Sequence, residues 1–532
     1  MDSSTAAYGA LGLIGLLVYL QRTRGAPKLS LPPGPKPLPI LGNFRDVPPE
    51  GSLEYIHWLK HKDLYGPITS VTVMGQTIVV IHDKQLAHEV LERESLKTAD
   101  RPTTEMASQL RRDAAIMSNL AFDGVLRYHR KLFHQQMGTA RAIEKFRDTQ
   151  QVESRRFLLN LWREPDSLLQ HIQRVSSGTI LRMTYGYSQK VTGMDPLVKT
   201  IEEFLSQAIV ALTPGKCLVD ILPLVKYLPE GCPGTGFIDM IRSLVGNWHA
   251  IEDIPYKFVQ GQVNNGTNRP SYVSRLLEDE VGNGTGTKLA SEDEEAAIKS
   301  TAAIMYSGAV ETTSLTLSIF VMAMIKFPQV QRKAQEEIDR VVGSCSRLPS
   351  FEDQKNLPYV EALITETLRW FPSLPMGFPH MATQDMVAGG YRIPKGACLL
   401  PNVHWFTHDP EAHPDPDAFE PERYLSPRCE PDPRQYVFGY GRRICPGRHF
   451  ANASLFLYVA QTLAVFDIGK AVDGEGREIE PELRATPGVI SHLEPFAFRI
   501  TPRSEGHDEM MRKLEREMPV EADDSAMLDV FE

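Results

Sequence analysis

A helix that is apolar on every side constrains the fold of this chain most. Residues 288–327 have helical periodicity, polar at first and then nearly all apolar from Thr316 to Ile325. A helix without a polar face lies in the middle of a large core, so other elements must surround it. The chain has 532 residues, which is long enough to enclose a cofactor and a substrate beside such a helix.

The remaining pattern predicts a mainly α fold with small β-sheets. Helical spacing dominates residues 101–330, with interruptions at 214–215, 221–236 and 264–270. Further helices are predicted at Gln329–Val342, at Tyr359–Trp370 and from about Arg448 to Phe466. Two β-branched runs, Ile68–Val73 and Ile78–Ile81, flank Gly75-Gln76 and predict a hairpin.

The N-terminus differs in kind from the rest of the chain. An apolar run extends from Ala6 to Leu20, and the positive charges Arg22, Arg24 and Lys28 follow it, whereas only Asp2 is charged before it. By the positive-inside rule this predicts a single-pass anchor in the endoplasmic reticulum membrane, with the body of the protein in the cytosol. The alternative is a buried or interfacial N-terminal helix.

The composition divides the chain into four segments. Residues 1–25 are the predicted anchor, and residues 26–43 are a linker that contains LPPGPKPLPILG, too rich in proline for a helix or a central strand. Residues 44–503 form the body of the chain, a single predicted domain. The strongly charged residues 504–532 predict a flexible tail.

One cysteine lies in a glycine-rich loop before the final predicted helix. Residues 438–447 read FGYGRRICPG. Glycines let a backbone turn sharply and approach a flat ligand, and the N-terminus of a helix favours a thiolate. Cys445 is therefore a candidate thiolate ligand of a soft metal. An isolated cysteine is more often buried and inert, but the complete spacing F-G-x-G-x-R-x-C-x-G argues against that interpretation.

This loop resembles the heme-binding loop of the cytochrome P450 family. The resemblance implies heme b, with Cys445 as the axial iron ligand, Phe438 packed beside the thiolate and Arg443 paired with a heme propionate. It also implies a triangular, prism-like fold that holds the heme between the long central helix and the final helix. A thiolate ligand donates electron density that favours cleavage of the O–O bond.

The long helix carries the motif that the family uses for oxygen. Residues 308–313 read GAVETT, so Glu311 and Thr312 match the acid and the alcohol of the family pattern. The resemblance implies that both deliver protons during oxygen activation. Thr312 can also bond back to a carbonyl of its own helix. Ala309 stands where the family usually has glycine.

Two further sets of residues match the family. ETLR and FEPERY imply that Glu366, Arg369 and Arg423 form a buried charged triad that retains the fold and the heme. Arg130 matches the arginine of a W-x-x-x-R motif, although Leu126 replaces the tryptophan. His380 matches a second position that faces a propionate.

The resemblance covers almost the whole chain and implies a monooxygenase. Several stretches, such as HDPEAHPDPDAFEPERY, look most like fungal members that tailor secondary metabolites. The resemblance implies that the walls of the substrate pocket come from residues 101–122, 204–216, 304–312 and 373–378. Several of these residues are apolar and suit a rigid, lipophilic substrate: Ile304, Met305, Leu374, Met376 and Phe378. A heme-thiolate isomerase, dehydratase or coupling enzyme is the alternative, and a non-catalytic heme protein is a third.

The electrons must come from another protein. The sequence has no G-x-G-x-x-G that opens a helix after a strand, so NADPH–cytochrome P450 reductase is the donor that the family implies. Basic residues near the cysteine loop could bind it, or could equally be a solvated face: Arg127, Lys131, Arg442 and Arg448. The net charge is -10 and no basic block is present, which argues against a nucleic-acid partner.

Overall fold

The computed structural model describes residues 29–102, 104–114, 121–191, 193–212, 217–282, 292–518 and 521–530. The predicted membrane anchor lies outside these residues, as do parts of the predicted pocket walls at 101–122 and 204–216.

Helices make up most of the described residues. The α-helices are α1 (Glu54–Tyr65), α2 (Lys84–Ala87), α3 (Ser95–Thr98), α4 (Glu105–Ala114), α5 (Gly124–Met137), α6 (Arg147–Arg163), α7 (Leu168–Tyr185), α8 (Pro196–Leu212), α9 (Leu218–Ile221), α10 (Phe237–Asn265), α11 (Tyr272–Gly282), α12 (Glu292–Lys326), α13 (Pro328–Val342), α14 (Pro358–Trp370), α15 (Val403–His408), α16 (Arg434–Val437), α17 (Arg448–Val465) and α18 (Glu505–Glu517). A π-helix spans His88–Arg93, and short 3-10 turns span Ala142–Phe146, Pro165–Ser167, Pro223–Tyr227, Phe351–Asn356, Pro421–Tyr424, Gly441–Arg443 and Ser525–Val530.

The strands form small sheets, as predicted. They are β1 (Ile68–Val73), β2 (Gln76–Ile81), β3 (His380–Met381), β4 (Met386–Ala388), β5 (Tyr391–Ile393), β6 (Cys398–Pro401), β7 (Phe466–Gly469) and β8 (Arg499–Pro502). The largest sheet has the order β1-β2-β6-β3, with β1 and β2 paired as the predicted antiparallel hairpin and β2 parallel to β6. The pairs β4-β5 and β7-β8 complete the β-structure of the described residues.

Helix α12 is the axis of the fold, as its composition predicts. It packs against α5, α7, α10, α14 and α17, and its residues from Leu315 to Leu317 and from Ile319 to Ile325 are buried. Among the described residues it is also the one helix long and apolar enough to cross a membrane, but 61% of its most apolar stretch is covered by protein. Such burial is typical of a core helix.

The proline-rich segment lies against the edge of the first sheet. The backbone N–H of Ser70 in β1 donates to Pro33 O at 2.9 Å, and its hydroxyl donates to Pro32 O at 2.6 Å. A Cβ at Gly34 would lie 1.9 Å from Ser70 O, so only glycine permits this approach. The extended conformation that the prolines favour is thus held by the edge of β1.

The C-terminal residues differ from expectation. Their charge predicts a flexible tail after Pro502, but α18 forms there and packs against α6. Beyond it, the Glu521 carboxylate pairs with Arg182 at 2.8 Å and with Arg269 at 2.9 Å, and Leu528 is buried in the core. The prediction is wrong here because the Glu521 carboxylate meets arginines that are distant in sequence, one on α7 and one between α10 and α11. These ion pairs offset the cost of ordering the segment.

Candidate heme-thiolate site

The loop that carries Cys445 has a fixed backbone. The N–H of Cys445 donates to Phe438 O at 2.7 Å, which closes the loop just before α17. Gly441 has φ +50°, and a Cβ there would lie 2.6 Å from Ser95 Cβ and 2.7 Å from Leu91 O. Only glycine can adopt this conformation and leave room for Ser95 and Leu91. Packing against these two residues therefore explains the glycine at this position of the motif.

The sulfur of Cys445 is surrounded by groups that favour negative charge. Burial is the strongest influence and raises the pKa of the Cys445 thiol, whereas the backbone N–H groups of Gly447 and Arg448 and the charge of Arg130 lower it. The N–H groups at the start of α17 therefore favour the thiolate, as the sequence predicts. In the protein alone, however, burial has the larger effect on the pKa of Cys445. A coordinating metal ion deprotonates a thiol outright, so this environment suits a metal-bound thiolate.

Two predicted propionate ligands are anchored beside the loop. Arg130, on α5, donates from Nη2 to Ile444 O at 2.7 Å, and Arg443 donates from Nε to Ala99 O at 2.6 Å. Burial lowers the pKa of Arg130, and the sulfur of Cys445 opposes this effect. Each guanidinium thus has an anchor on the backbone beside the cysteine loop.

A third arginine, which the sequence analysis did not include, lies with them. Arg101 is buried and donates from Nη1 to Pro379 O at 2.6 Å. Beside it, the Nδ1 of the predicted ligand His380 lies 2.9 Å from Thr98 O. One feature of the sequence could have identified Arg101. It is the first residue of the segment 101–122, which is predicted to line the substrate pocket.

The three arginines converge on one region beside His380 and fit a dicarboxylate. Burial and the neighbouring charges of Arg443 and Arg130 lower the pKa of Arg101 to about 9. Burial and the charge of Arg101 lower the pKa of His380 to about 3. Buried like charges destabilise one another unless an anion lies among them. A heme coordinated by Cys445 would place its two anionic propionates among these side chains. The arginines and His380 therefore fit this cofactor.

The acid–alcohol pair lies on an accessible stretch of α12. Gly308 is exposed and Ala309, Glu311 and Thr312 are partly accessible, although most of the helix is buried. This stretch of α12 is therefore open to solvent or to a ligand. The Thr312 hydroxyl donates to Gly308 O at 3.2 Å, one turn earlier, as in the predicted local back-bond.

Glu311 has a neighbour that sequence reasoning did not find. His492 Nε2 lies 3.7 Å from Glu311 Oε2. Burial raises the pKa of the Glu311 carboxyl, and the charge of His492 acts in the opposite direction. No local pattern in the sequence indicates this pair, because the two residues come from α12 and from a loop near the C-terminus.

The predicted triad is assembled and completely buried. Glu366 accepts from Arg369 Nε at 2.7 Å and from Arg423 Nε at 3.1 Å, and all three side chains have 0% exposure. Trp370, next to Arg369 on α14, is also buried and donates to Asp417 O at 2.9 Å. The triad thus joins α14 to the irregular segment before the cysteine loop.

Comparisons with known proteins agree with this geometry. The sequence model of the cytochrome P450 family matches residues 32–493. The chain is 44% identical over 521 residues to cytochrome P450 monooxygenase CLM2 of Gibberella zeae, covering 97% of each chain. It is 42% identical to multifunctional cytochrome P450 monooxygenase af510 of Aspergillus fumigatus, covering 97% of this chain and 96% of the relative. It is 37% identical to O-methylsterigmatocystin oxidoreductase of Aspergillus flavus, covering 92% and 91%.

Proposed function

The chain belongs to the cytochrome P450 family of monooxygenases, and on that premise we propose the reaction it catalyses. It hydroxylates or epoxidises a lipophilic small molecule with dioxygen and with electrons that NADPH supplies through a reductase. The balance is RH + O2 + NADPH + H+ giving ROH + H2O + NADP+. The observation that carries the proposal is the sulfur of Cys445, faced by backbone N–H groups and by Arg130, beside further buried cations.

Each proposed role follows from the position of a side chain. Heme, when bound through the Cys445 thiolate, supplies the oxygen chemistry of the family. The N–H groups of Gly447 and Arg448 stabilise the thiolate charge. Phe438 packs at the start of the loop, where its carbonyl holds the N–H of Cys445.

The heme carboxylates and the protons are assigned to two other groups of residues. Arg101, Arg130, Arg443 and His380 bind the propionates. Glu311 and Thr312 hold and transfer the protons that oxygen reduction consumes, because they lie on the accessible stretch of α12.

The direct test of the reaction is the origin of the oxygen in the product. Metabolites that accumulate when the gene is deleted supply the substrate, and the purified full-length enzyme with reductase and NADPH is then given 18O2. We expect one 18O atom in the product. A product without new oxygen would identify an isomerase, a dehydratase or a coupling enzyme instead.

Replacing Thr312 by alanine should uncouple NADPH oxidation from product formation. The variant lacks the hydroxyl that would hold a proton for oxygen bound to the heme, so hydrogen peroxide should replace part of the product. We expect the amount of product formed per NADPH consumed to fall about tenfold. This loss is smaller than the full rate contribution of a general acid, because water takes the place of the hydroxyl in part.

Ser318→Ala is the matched control for this variant. Its hydroxyl also donates one turn back, to Ser314 O at 2.9 Å, but farther along α12. Coupling in Ser318→Ala should equal that of the wild type. Unchanged coupling in Thr312→Ala would assign the protons to another group.

We propose NADPH–cytochrome P450 reductase as the electron donor. Arg127, Lys131 and Arg442 are exposed near the cysteine loop, and Arg448 lies at the start of α17. A basic face on an acidic protein attracts an acidic flavin domain, and salt screens that attraction. Reduction of the heme should therefore slow as ionic strength rises, and a rate independent of salt would contradict docking at this face.

We further propose that the enzyme is attached to the endoplasmic reticulum membrane. Residues 1–25 are the single-pass anchor, residues 26–43 are the linker, and the catalytic domain, 44–503, lies in the cytosol.

The described part of the chain supports a second membrane contact after α9. Leu224 is 69% and Tyr227 75% exposed there, and Ile40 in the linker is 96% exposed. Exposed apolar groups of this size mark interaction sites, and a lipid surface suits them.

Membrane binding should persist in part without the anchor. We expect a chain that lacks residues 1–25 to bind lipid vesicles, and expect Leu224→Asp with Tyr227→Asp to weaken its binding by about tenfold or more, because each buried side chain contributes roughly 1.5–3 kcal/mol. Co-sedimentation with vesicles measures the bound fraction. Equal binding of the two proteins would exclude contact at Leu224 and Tyr227.

The substrate class is supported by the relatives and by the apolar pocket residues. One relative is an O-methylsterigmatocystin oxidoreductase, which suggests that this enzyme also tailors a fungal secondary metabolite. Among the predicted pocket residues, Met305 and Met376 are buried, whereas Ile304 and Leu374 are partly accessible and Phe378 is exposed. Apolar walls of this kind suit a rigid, lipophilic molecule.

A further inference from the structure

His492 lies in a loop whose backbone is held on both sides. The N–H of Thr486 donates to His492 O at 2.8 Å, and the N–H of His492 donates to the Thr486 hydroxyl at 3.1 Å. Next to it, the N–H of Ser491 donates to Ser373 O at 3.3 Å, in the connection that follows α14. These bonds fix the position from which the imidazole extends.

The imidazole meets the acid of the acid–alcohol pair. His492 Nε2 is 3.7 Å from Glu311 Oε2, and the side chains are 40% and 25% exposed, respectively. Accessibility thus decreases from His492 to Glu311. The separation exceeds a hydrogen bond, and a small rotation or one bridging water closes it.

A second carboxyl, that of Glu202 on α8, lies within electrostatic range of Glu311. Burial raises the pKa of Glu202, and the charge of Glu311 raises it further. Two carboxylates near each other in a partly buried place repel, so a cation beside one of them stabilises the ionised form. His492 is positioned to be that cation and to exchange protons with solvent.

We propose that His492 is a positioning residue for Glu311. His492 holds the carboxylate of Glu311 in place and replaces each proton that Glu311 gives up. The inference rests on the proposed monooxygenase function. Reduction of dioxygen in the balanced reaction takes up protons, which Glu311 would supply. Each proton that leaves Glu311 is replaced from the His492 imidazolium, and water protonates His492 again.

The test uses dioxygen alone as the probe, so it does not depend on knowledge of the substrate. Full-length holoenzyme with saturating reductase oxidises NADPH, with release of hydrogen peroxide (NADPH + H+ + O2 giving NADP+ + H2O2) or of water. We expect His492→Gln, which keeps a donor but cannot relay a proton, to slow NADPH oxidation about fivefold and to increase the solvent deuterium isotope effect.

A double-variant comparison separates relay through Glu311 from a structural effect of the loop. If His492 acts through Glu311, His492→Gln should cause no further loss in an enzyme that already carries Glu311→Gln. His249→Gln is the control, because His249 also pairs with a carboxylate, Glu252 at 3.5 Å, but lies on α10. Its rate and isotope effect should match the wild type.

Two outcomes overturn the inference alone and are distinguishable from failure of the proposed function. A wild-type rate and isotope effect in His492→Gln, or the same fold loss with and without Glu311→Gln, excludes the relay while the wild-type enzyme stays active. A wild-type enzyme that neither oxidises NADPH with reductase nor has the thiolate carbon monoxide spectrum overturns the proposed function as well. The carbon monoxide spectrum of His492→Gln should equal that of the wild type, since the variant leaves the cysteine loop intact.

Discussion

Cys445→Ala is expected to lack the long-wavelength Soret band that the reduced, carbon monoxide-bound wild-type enzyme should have. That band requires a thiolate sulfur on the iron, and alanine supplies no ligand. The change is small in volume and the loop backbone is held by the bond from the N–H of residue 445 to Phe438 O, so the fold should remain. The measurement is the difference spectrum of purified full-length protein, together with its helix content by circular dichroism.

Two further cysteine variants make the assignment specific. Cys445→His offers a nitrogen ligand, so any heme retained should have the shorter-wavelength band of a histidine-ligated complex. Cys217→Ala is the control, because Cys217 is a buried free thiol whose pKa burial raises. It should keep the wild-type spectrum. A thiolate band that survives in folded Cys445→Ala would assign the ligand to another cysteine.

Elements with a local signal could be predicted from the sequence. The apolar run predicted a central helix over residues 288–327, and α12 spans Glu292–Lys326 in its described part. The hairpin was also predicted correctly, because β-branched residues and a turn are neighbours in the chain. The C-terminal residues were not, because the partners of Glu521 come from segments far away in sequence.

The same distinction explains the candidate site. The cysteine loop and the acid–alcohol pair are contiguous motifs, so one sequence suffices to find them. Arg101 and His492 belong to no such motif, and each becomes a candidate only when folding brings it to Arg443 or to Glu311. Long-range electrostatic neighbours of this kind depend on tertiary packing, which periodicity and spacing do not encode.

Glu366→Ala is expected to destabilise the protein more than any other substitution considered. The Glu366 carboxylate accepts from Arg369 at 2.7 and 2.8 Å, from Arg423 at 3.1 Å and from the Tyr424 hydroxyl at 3.1 Å. Alanine removes all of these acceptors and leaves two guanidinium groups at 0% exposure without this counter-charge. Removing one partner of a buried ion pair costs about 3–5 kcal/mol.

That cost is large against the stability of a folded protein, which is typically about 5–15 kcal/mol. We therefore expect Glu366→Ala to accumulate poorly and to unfold in urea at a much lower midpoint than the wild type. Glu366→Gln, which keeps an acceptor oxygen, should fall between the two. Glu422→Ala is the control, because Glu422 is partly exposed and loses only an ion pair with Lys333, worth at most about 1 kcal/mol, and a hydrogen bond from the Tyr359 hydroxyl. Equal midpoints for Glu366→Ala and Glu422→Ala would mean that the triad does not hold α14 to the segment before the cysteine loop, and heme retention would then need another structural basis.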